Sequence, residues 1–402
     1  MSPAAFLTAT GLTFTRACAS TVQTSASTID SSPAIDQACI GSRGGATIQG
    51  LVIEHNVATY NNVNNVPANP RNLSFGHGWT AGTGVVTGNF ANGPDGTLGC
   101  SRVVVAAGQY GPYNSDAAAQ GRYVVSSWQR SKDETVNGAM NQEWVAAAAN
   151  DSGFTQRAAT NVWGRITTVR TLNAQASIYD TVEGRAGSGV AAQARDVLVD
   201  FVQQQDGTFA TEAIYNAAVN GPLRNSDILT YAQGSKLVTA SGRIRFYART
   251  IPKMASVESI IWASNGGGSG TSVAWYLFSW GAAAANYAYI RESDKKLVVN
   301  IAGGVVIAST TAVVFSANDI VEWDIEIGSG VASVASYRVN SGAWTNLTLG
   351  VIAGVPVVSG AMGLFHNLPA AAAGDKGQFT CWLQKVAFLD DGDLISAFAL
   401  PP

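Results

Sequence analysis

Charge is what this sequence has least of. Only 13% of its 402 residues are Asp, Glu, Lys or Arg, against ~25% in an ordinary soluble protein. The net charge is −3 and no run of Lys or Arg occurs. A nucleic-acid binder needs a basic face to meet phosphates, so no such partner is expected. Cysteine is scarce too: Cys18, Cys39, Cys100 and Cys381 contain no CxxC pair. That spacing excludes a zinc ribbon and a disulfide scaffold, leaving free buried thiols or a single Cys18–Cys39 bridge. His55, His77 and His366 form no HExxH or H-x-H pattern, so metal-dependent hydrolysis has no ligands. No G-x-S-x-G elbow is present, and the glycine runs at 266–268 and 303–304 lack the Lys-Ser/Thr of a phosphate loop. No metal and no cofactor are expected.

A solid apolar run is also missing. Residues 259–290 carry no charge, but Asn265-Gly266-Gly267-Gly268-Ser269-Gly270 interrupts them, and a membrane span needs ~20 consecutive apolar residues. The stretch reads as two buried strands and a loop, without membrane insertion. The first basic residue is Arg16, so the charged start of a secretory leader is not evident.

What the chain does have is 47% apolar residues and 43 glycines, with Ala, Ser, Thr and Asn in place of charge. That balance argues against intrinsic disorder, which needs low hydrophobicity and high net charge. Period-two alternation is the dominant pattern. Val321, Trp323, Ile325 and Ile327 alternate with Glu322, Asp324 and Glu326, and Ile244, Phe246 and Ala248 alternate with Arg243, Arg245, Tyr247 and Arg249. Further strands are expected over 102–106, 122–129, 162–172, 195–203, 297–301 and 333–339. In 195–203, Val197, Val199 and Phe201 are expected on one face and Asp196 and Asp200 on the other. Turn chemistry separates the strands, as in Gly93-Pro94-Asp95-Gly96 and Asn340-Ser341-Gly342. The one helical pattern is 143–149, with Asn141 as its cap. Many short strands with such turns predict an all-β chain. We expect an irregular N-terminal segment over 1–65, a first β-sandwich over 66–215, a linker at 216–225 and a second sandwich over 225–402.

Three pieces of the first hundred residues form an ordered set. Leu12-Thr13-Phe14-Thr15-Arg16-Ala17 resembles the opening of many tailed-bacteriophage structural proteins, and Gly50-Leu51-Val52-Ile53-Glu54 resembles the segment that follows it there. Arg71-Asn72-Leu73-Ser74, Trp79, Pro94-Asp95-Gly96-Thr97 and Arg102-Val103 resemble the start of a carbohydrate-binding-like jelly roll in the same proteins. Gly242 to Phe246, Lys296 to Val299 and Phe315 to Asp319 resemble a concanavalin-like or laminin-G-like jelly roll used in phage fibres and spikes. The resemblance implies a virion-surface structural protein, assembled in the host cytoplasm: a head fibre, spike, tail fibre or decoration. It implies a homo-oligomer, a trimer, joined to other capsid or tail proteins through residues 1–65. Its implied target is a bacterial surface glycan.

Two sets of residues could act on or bind such a glycan. Glu322-Trp323-Asp324-Ile325-Glu326 resembles the E-x-D-x-E strand of family-16 glycoside hydrolases. That resemblance makes Glu322 the nucleophile, Glu326 the acid/base and Asp324 the residue between them. An acidic solvent face on an ordinary strand has the same pattern, and a non-enzymatic protein is the expectation. The second set is aromatic, since a sugar's C–H face stacks on a ring while polar neighbours read its hydroxyls. Tyr110 and Tyr113, in an expected turn at Gly111-Pro112, are candidates with Trp128, Trp275 and Trp280. Asp390-Asp391-Gly392-Asp393 has oxygen ligands suited to calcium, but a turn is the expected role. A ligand-free decoration protein and a glycan depolymerase stand as alternatives to glycan attachment.

Overall fold

The structure, a computed structural model, describes residues 5, 7, 12–15, 22–25, 27–30, 40–42, 49–53, 57–58, 62–63, 66–67, 71–73, 79, 82–118, 121–132, 140–145, 154–156, 160–172, 176–183, 192–206, 223–224, 228–232, 243–256, 274–280, 286–291, 293–301, 305–328, 332–351, 361–365, 379–390 and 393–399. The chain is all-β, built from antiparallel sheets stacked as sandwiches. No helix among the described residues is long and apolar enough to cross a membrane.

The second sandwich pairs a seven-stranded sheet with an eight-stranded one. In the first, the strands run Leu12–Thr15, Ile228–Ala232, Ala361–Leu364, Ala274–Trp280, Asn286–Arg291, Lys296–Ile301 and Val305–Ala312. In the second they run Thr345–Val351, Ala332–Val339, Val321–Gly328, Arg243–Pro252, Cys381–Asp390, Gln49–Ile53 and Ile40–Ser42, with Asp393–Ala399 also on Cys381–Asp390. Alternation places Val321, Trp323, Ile325 and Ile327 inward, as the period of two requires. They meet Phe246, Trp275, Phe278, Phe315 and Phe379 in one aromatic core. The Trp323 ring stacks on Tyr337 at 5.9 Å and meets Phe379 edge-on at 6.0 Å. Its indole N–H donates to Thr250 Oγ1 at 3.0 Å, so the one polar atom of the ring is satisfied. Each fully buried aromatic of this kind stabilises the fold by about 1.5–3 kcal/mol.

The N-terminal stretch is woven into this sandwich rather than standing apart from it. Leu12 pairs with Tyr231 and Phe14 with Leu229, while Leu51, Val52 and Ile53 pair with Leu383, Trp382 and Cys381. Leu12, Phe14, Leu51 and Ile53 enter the common core. The expected boundary at residue 65 is therefore corrected: apolar side chains this early in the chain are buried against strands from its far end. Within the expected linker, Leu223–Arg224 is a strand paired with Val57–Ala58.

In the first sandwich a five-stranded sheet runs Gly164–Leu172, Gly121–Ser131, Arg195–Asp206, Leu98–Val105 and Val85–Asn92. A four-stranded sheet of Tyr110–Ala118, Ala176–Glu183, Met140–Val145 and Phe154–Gln156 lies against it. The helix expected over 143–149 is corrected for residues 143–145, which are strand. Met140–Val145 has ladder partners on both sides, and Trp144 and Val145 favour extended backbone; residues 146–149 lie outside the described residues. Val103, Val105, Val197, Val199, Leu73 and Trp79 form a small core on one face of the five-stranded sheet.

On the other face, Ile29 packs with Trp128, Phe201 and Trp163. Ile29 belongs to an N-terminal hairpin of Val22–Gln23 and Ile29–Asp30. Phe201 was expected beside Val197 and Val199. It takes a φ of +48° instead, which breaks the alternation and turns its ring to the hairpin side.

Candidate functional site

The acidic strand forms as expected, with Glu322, Asp324 and Glu326 on the face away from the core. What that face meets is a ladder of cations. Glu322 stands opposite Arg338 and Arg249, Asp324 opposite Tyr247, and Glu326 opposite Arg245. Arg338 donates to Glu322 Oε2 at 2.8 Å and Tyr247 donates to the same oxygen at 2.5 Å. Arg245 grips Asp324 through two hydrogen bonds, at 2.7 and 2.5 Å. Burial alone would raise the Glu322 carboxyl, but the bonds from Arg338 and Tyr247 outweigh it and hold it below the usual range. Burial and the neighbouring Glu322 push the Tyr247 phenol up to about 12. A nucleophile must reach an anomeric carbon, and Glu322 is only 3% exposed. The guanidinium of Arg338 also lies over Trp344 at 4.7 Å. The arrangement reads chemically as a cross-strand ion ladder.

Three of the aromatic candidates are corrected. Trp128, Trp275 and Trp280 are buried, at 2%, 0% and 0% exposure, and present no ring to a ligand. Trp275 and Trp280 line the second core, and Trp128 is covered by the N-terminal hairpin. Tyr110 and Tyr113 are not in a turn: they open the strand Tyr110–Ala118, with a register shift between them, opposite Glu183 and Thr181. Tyr113 is half-buried, and the Tyr110 side chain lies outside the described set. His55, His77, His366, Cys18 and Cys39 lie outside the described residues. Cys100 and Cys381 are buried free thiols, and burial pushes Cys100 up to about 11. Asp390 pairs with Asp393 to close a hairpin; the two residues between them lie outside the described set. No metal-ligating group occurs among the described residues.

Open aromatics do exist elsewhere. Tyr276, Tyr287 and Tyr289 are half-buried on the outer face of the seven-stranded sheet. Their ring centroids lie 5.4–5.9 Å apart.

Asp95, Thr97 and Asp200 converge on one buried arginine, Arg71. Arg71 donates to Asp200 through Nε and Nη2, at 3.0 and 2.9 Å. It donates to Asp95 through Nη1 and Nη2, at 3.0 and 2.9 Å, and to Thr97 Oγ1 at 2.8 Å. Its guanidinium lies over Phe201 at 4.5 Å. Burial, opposed by Arg71 and reinforced by the nearby Asp95, pushes the Asp200 carboxyl up to about 7. Ser101 Oγ accepts from the Leu73 N–H and donates to the Arg71 carbonyl, fixing this segment to the sheet.

The hub sets the shape of the turn above it. Asp95 also accepts from the Thr97 N–H and hydroxyl. Gly96 takes a φ of +76°, which a side chain would resist. At Gly93 a Cβ would lie 1.9 Å from Asp200 Oδ2. The Pro94 carbonyl accepts from the Ile29 N–H at 3.2 Å, tying the turn to the N-terminal hairpin.

A cleft of about 550 Å³ opens between three segments: residues 27–29 of the hairpin, 93–96 of the turn and 161–163 leading into the strand Gly164–Leu172. Sequence reasoning missed this site. Its walls are distant in the chain, and Trp163 and Asn161 carry no motif that marks them.

No protein-family model matches the chain, and no curated protein matches it. Among solved structures, it is similar to the mouse laminin alpha1 chain, domains LG4-5, at 10% identity and a TM-score of 0.26, covering 71% of this chain and 91% of that one. A score that low leaves the fold to be read from the sheets themselves.

Proposed function

We propose that the protein is a non-enzymatic structural component of a tailed-bacteriophage virion, a fibre, spike or decoration, that meets a host-surface glycan. The observation that carries this reading is the placement of its phage-like motif. Pro94, Asp95 and Gly96, which resemble the phage jelly roll, form one wall of the 550 Å³ cleft, and Arg71 of the same motif holds that wall from behind. A cleft of that size, with a few convergent polar groups and an aromatic ring, suits a small ligand. The arginine ladder on Glu322 and Asp324 supports attachment over hydrolysis. The oligomer of the reading is a homotrimer, joined to other virion proteins.

The test is adsorption. Purified protein should compete with phage particles for host cells, and antibodies against it should decorate the particle surface. Incubation with host envelope should release no oligosaccharide. Failure to compete, or release that Glu322→Gln abolishes, would overturn the reading.

A further inference from the structure

The cleft's lining speaks to the chemistry of what fills it. Asp95 is its one ionisable residue. Its side chain is 0% exposed, and its oxygens are taken by Arg71 and Thr97. Among the described lining residues, no free charge therefore faces the ligand. The polar side chains that remain are the Ser27 hydroxyl and the exposed Asn161 amide, the Thr28 hydroxyl being bonded to those of Thr24 and Ser25. The apolar surface comes from Val162 and the half-buried Trp163 indole.

The walls are held before any ligand arrives. Thr28 accepts from the Thr24 and Ser25 N–H groups, closing the hairpin. Trp163 is anchored by Ile29, Trp128 and Phe201, with Arg130 over its ring at 5.4 Å. Arg130 also donates to the Asn161 carbonyl, which fixes the third wall. Preorganisation of this kind spares a ligand the cost of ordering its site.

Hydroxyl and amide groups around an indole, with no net charge, match a ring that has polar edges and an apolar face. We infer that this cleft binds an uncharged hexose unit of the glycan, packed against the exposed edge of Trp163 and read by Asn161 and Ser27. The inference rests on the attachment reading above and names its site. Among the described lining residues an anionic sugar would meet no cation, and burying its charge without one is costly. A purely apolar ligand would strand the Asn161 amide and the Ser27 hydroxyl.

The test uses the full chain and saturation-transfer NMR. The probes are glucose, galactose and N-acetylglucosamine, with glucuronate and sialic acid as charged counterparts. A neutral probe should bind with a Kd on the order of millimolar or tighter. Trp163→Ala should weaken it at least about tenfold and Asn161→Ala by about threefold to tenfold, as removal of one ring contact or one hydrogen bond would. Trp163→Phe should restore part of the loss, and Tyr287→Ala, on the other sandwich, should leave binding unchanged. A Trp163→Ala chain that has lost its fold would show it in far-ultraviolet circular dichroism; Asn161→Ala, at an exposed position, then decides. Binding that ignores Asn161→Ala and Trp163→Phe, a preference for the charged probes, or no neutral binding up to about 10 mM would overturn the cleft assignment. Wild-type protein that still blocks phage adsorption in that case would leave the attachment reading standing; protein that blocks nothing would remove that reading as well.

Discussion

The first sandwich is organised around a buried arginine, the second around buried tryptophans. Arg71 gathers Asp95, Thr97 and Asp200 at the edge of a modest valine-rich core. The second sandwich instead stacks Trp323, Tyr337, Phe379 and Phe315 in a continuous apolar interior. Polar bonds are directional, so the arginine hub fixes one particular turn and, with it, the wall of a cleft. Apolar packing is nondirectional, so the aromatic core holds two large sheets together and leaves their outer faces to ion pairs and tyrosines. The cleft sits where directional bonding is concentrated.

Replacing each centre should separate the two. Arg71→Leu strands Asp95 and Asp200 in the interior and should cost about 3–5 kcal/mol. Hydrogen exchange should then show lost protection at 98–105 and 195–206 with 321–328 retained. Trp323→Ala opens a cavity worth about 3–5 kcal/mol and should give the reverse pattern. Equal loss in both regions under either variant would mean that the sandwiches unfold as one, and the comparison would fail.

A smaller effect follows from Gly93→Ala. Its new methyl would press on Asp200, and we expect about 1–3 kcal/mol by urea denaturation, with the first sandwich opening first. Acidity should also distinguish the halves. Burial raises Asp200 to about 7 in the folded chain, above the ~3.9 of an unfolded aspartate. Its contribution is therefore complete below about pH 4 and lost as pH rises through 7. The denaturation midpoint of the first sandwich should fall between about pH 4 and 7 and level off above that, and Asp200→Asn should flatten that slope. A level midpoint in the wild type would show that Arg71 keeps Asp200 ionised throughout. The smallest change belongs to Tyr287→Ala on the open sheet face. Loss of its contacts with Tyr276 and Tyr289 should cost about 0.5–1 kcal/mol, measured by thermal unfolding.

The strands were legible wherever alternation was unbroken. Val321 to Ile327 and Phe246 to Arg249 read correctly because one side of each strand is core and the other is charged. Bulges defeated the same logic elsewhere. The register shifts between Tyr276 and Phe278, so Trp275, Leu277, Phe278 and Trp280 are all buried although no simple period puts them together. A second shift, between Ser126 and Trp128, lies where the N-terminal hairpin covers the sheet. Asp196 and Asp200 share a spacing yet differ in role: Asp196 pairs with Arg102 near the surface, while Asp200 lies under Arg71. The motif at Arg71 to Arg102 signalled a jelly roll, but Asp200, the partner of Arg71, is 129 residues away along the chain, and the cleft joins three segments far apart in it.

The interlaced strands set an order for synthesis. Gln49–Ile53 cannot find Cys381–Leu383 until the ribosome has passed residue 383, a wait on the order of tens of seconds. During that interval the side of Gln49–Ile53 that will receive Cys381–Leu383 is an open, apolar sheet edge, prone to pairing with another chain. The middle module has its sheet strands by Asp206 and is free to close early, so a nascent chain halted before residue 381 would carry one finished unit tethered to an open half-sandwich.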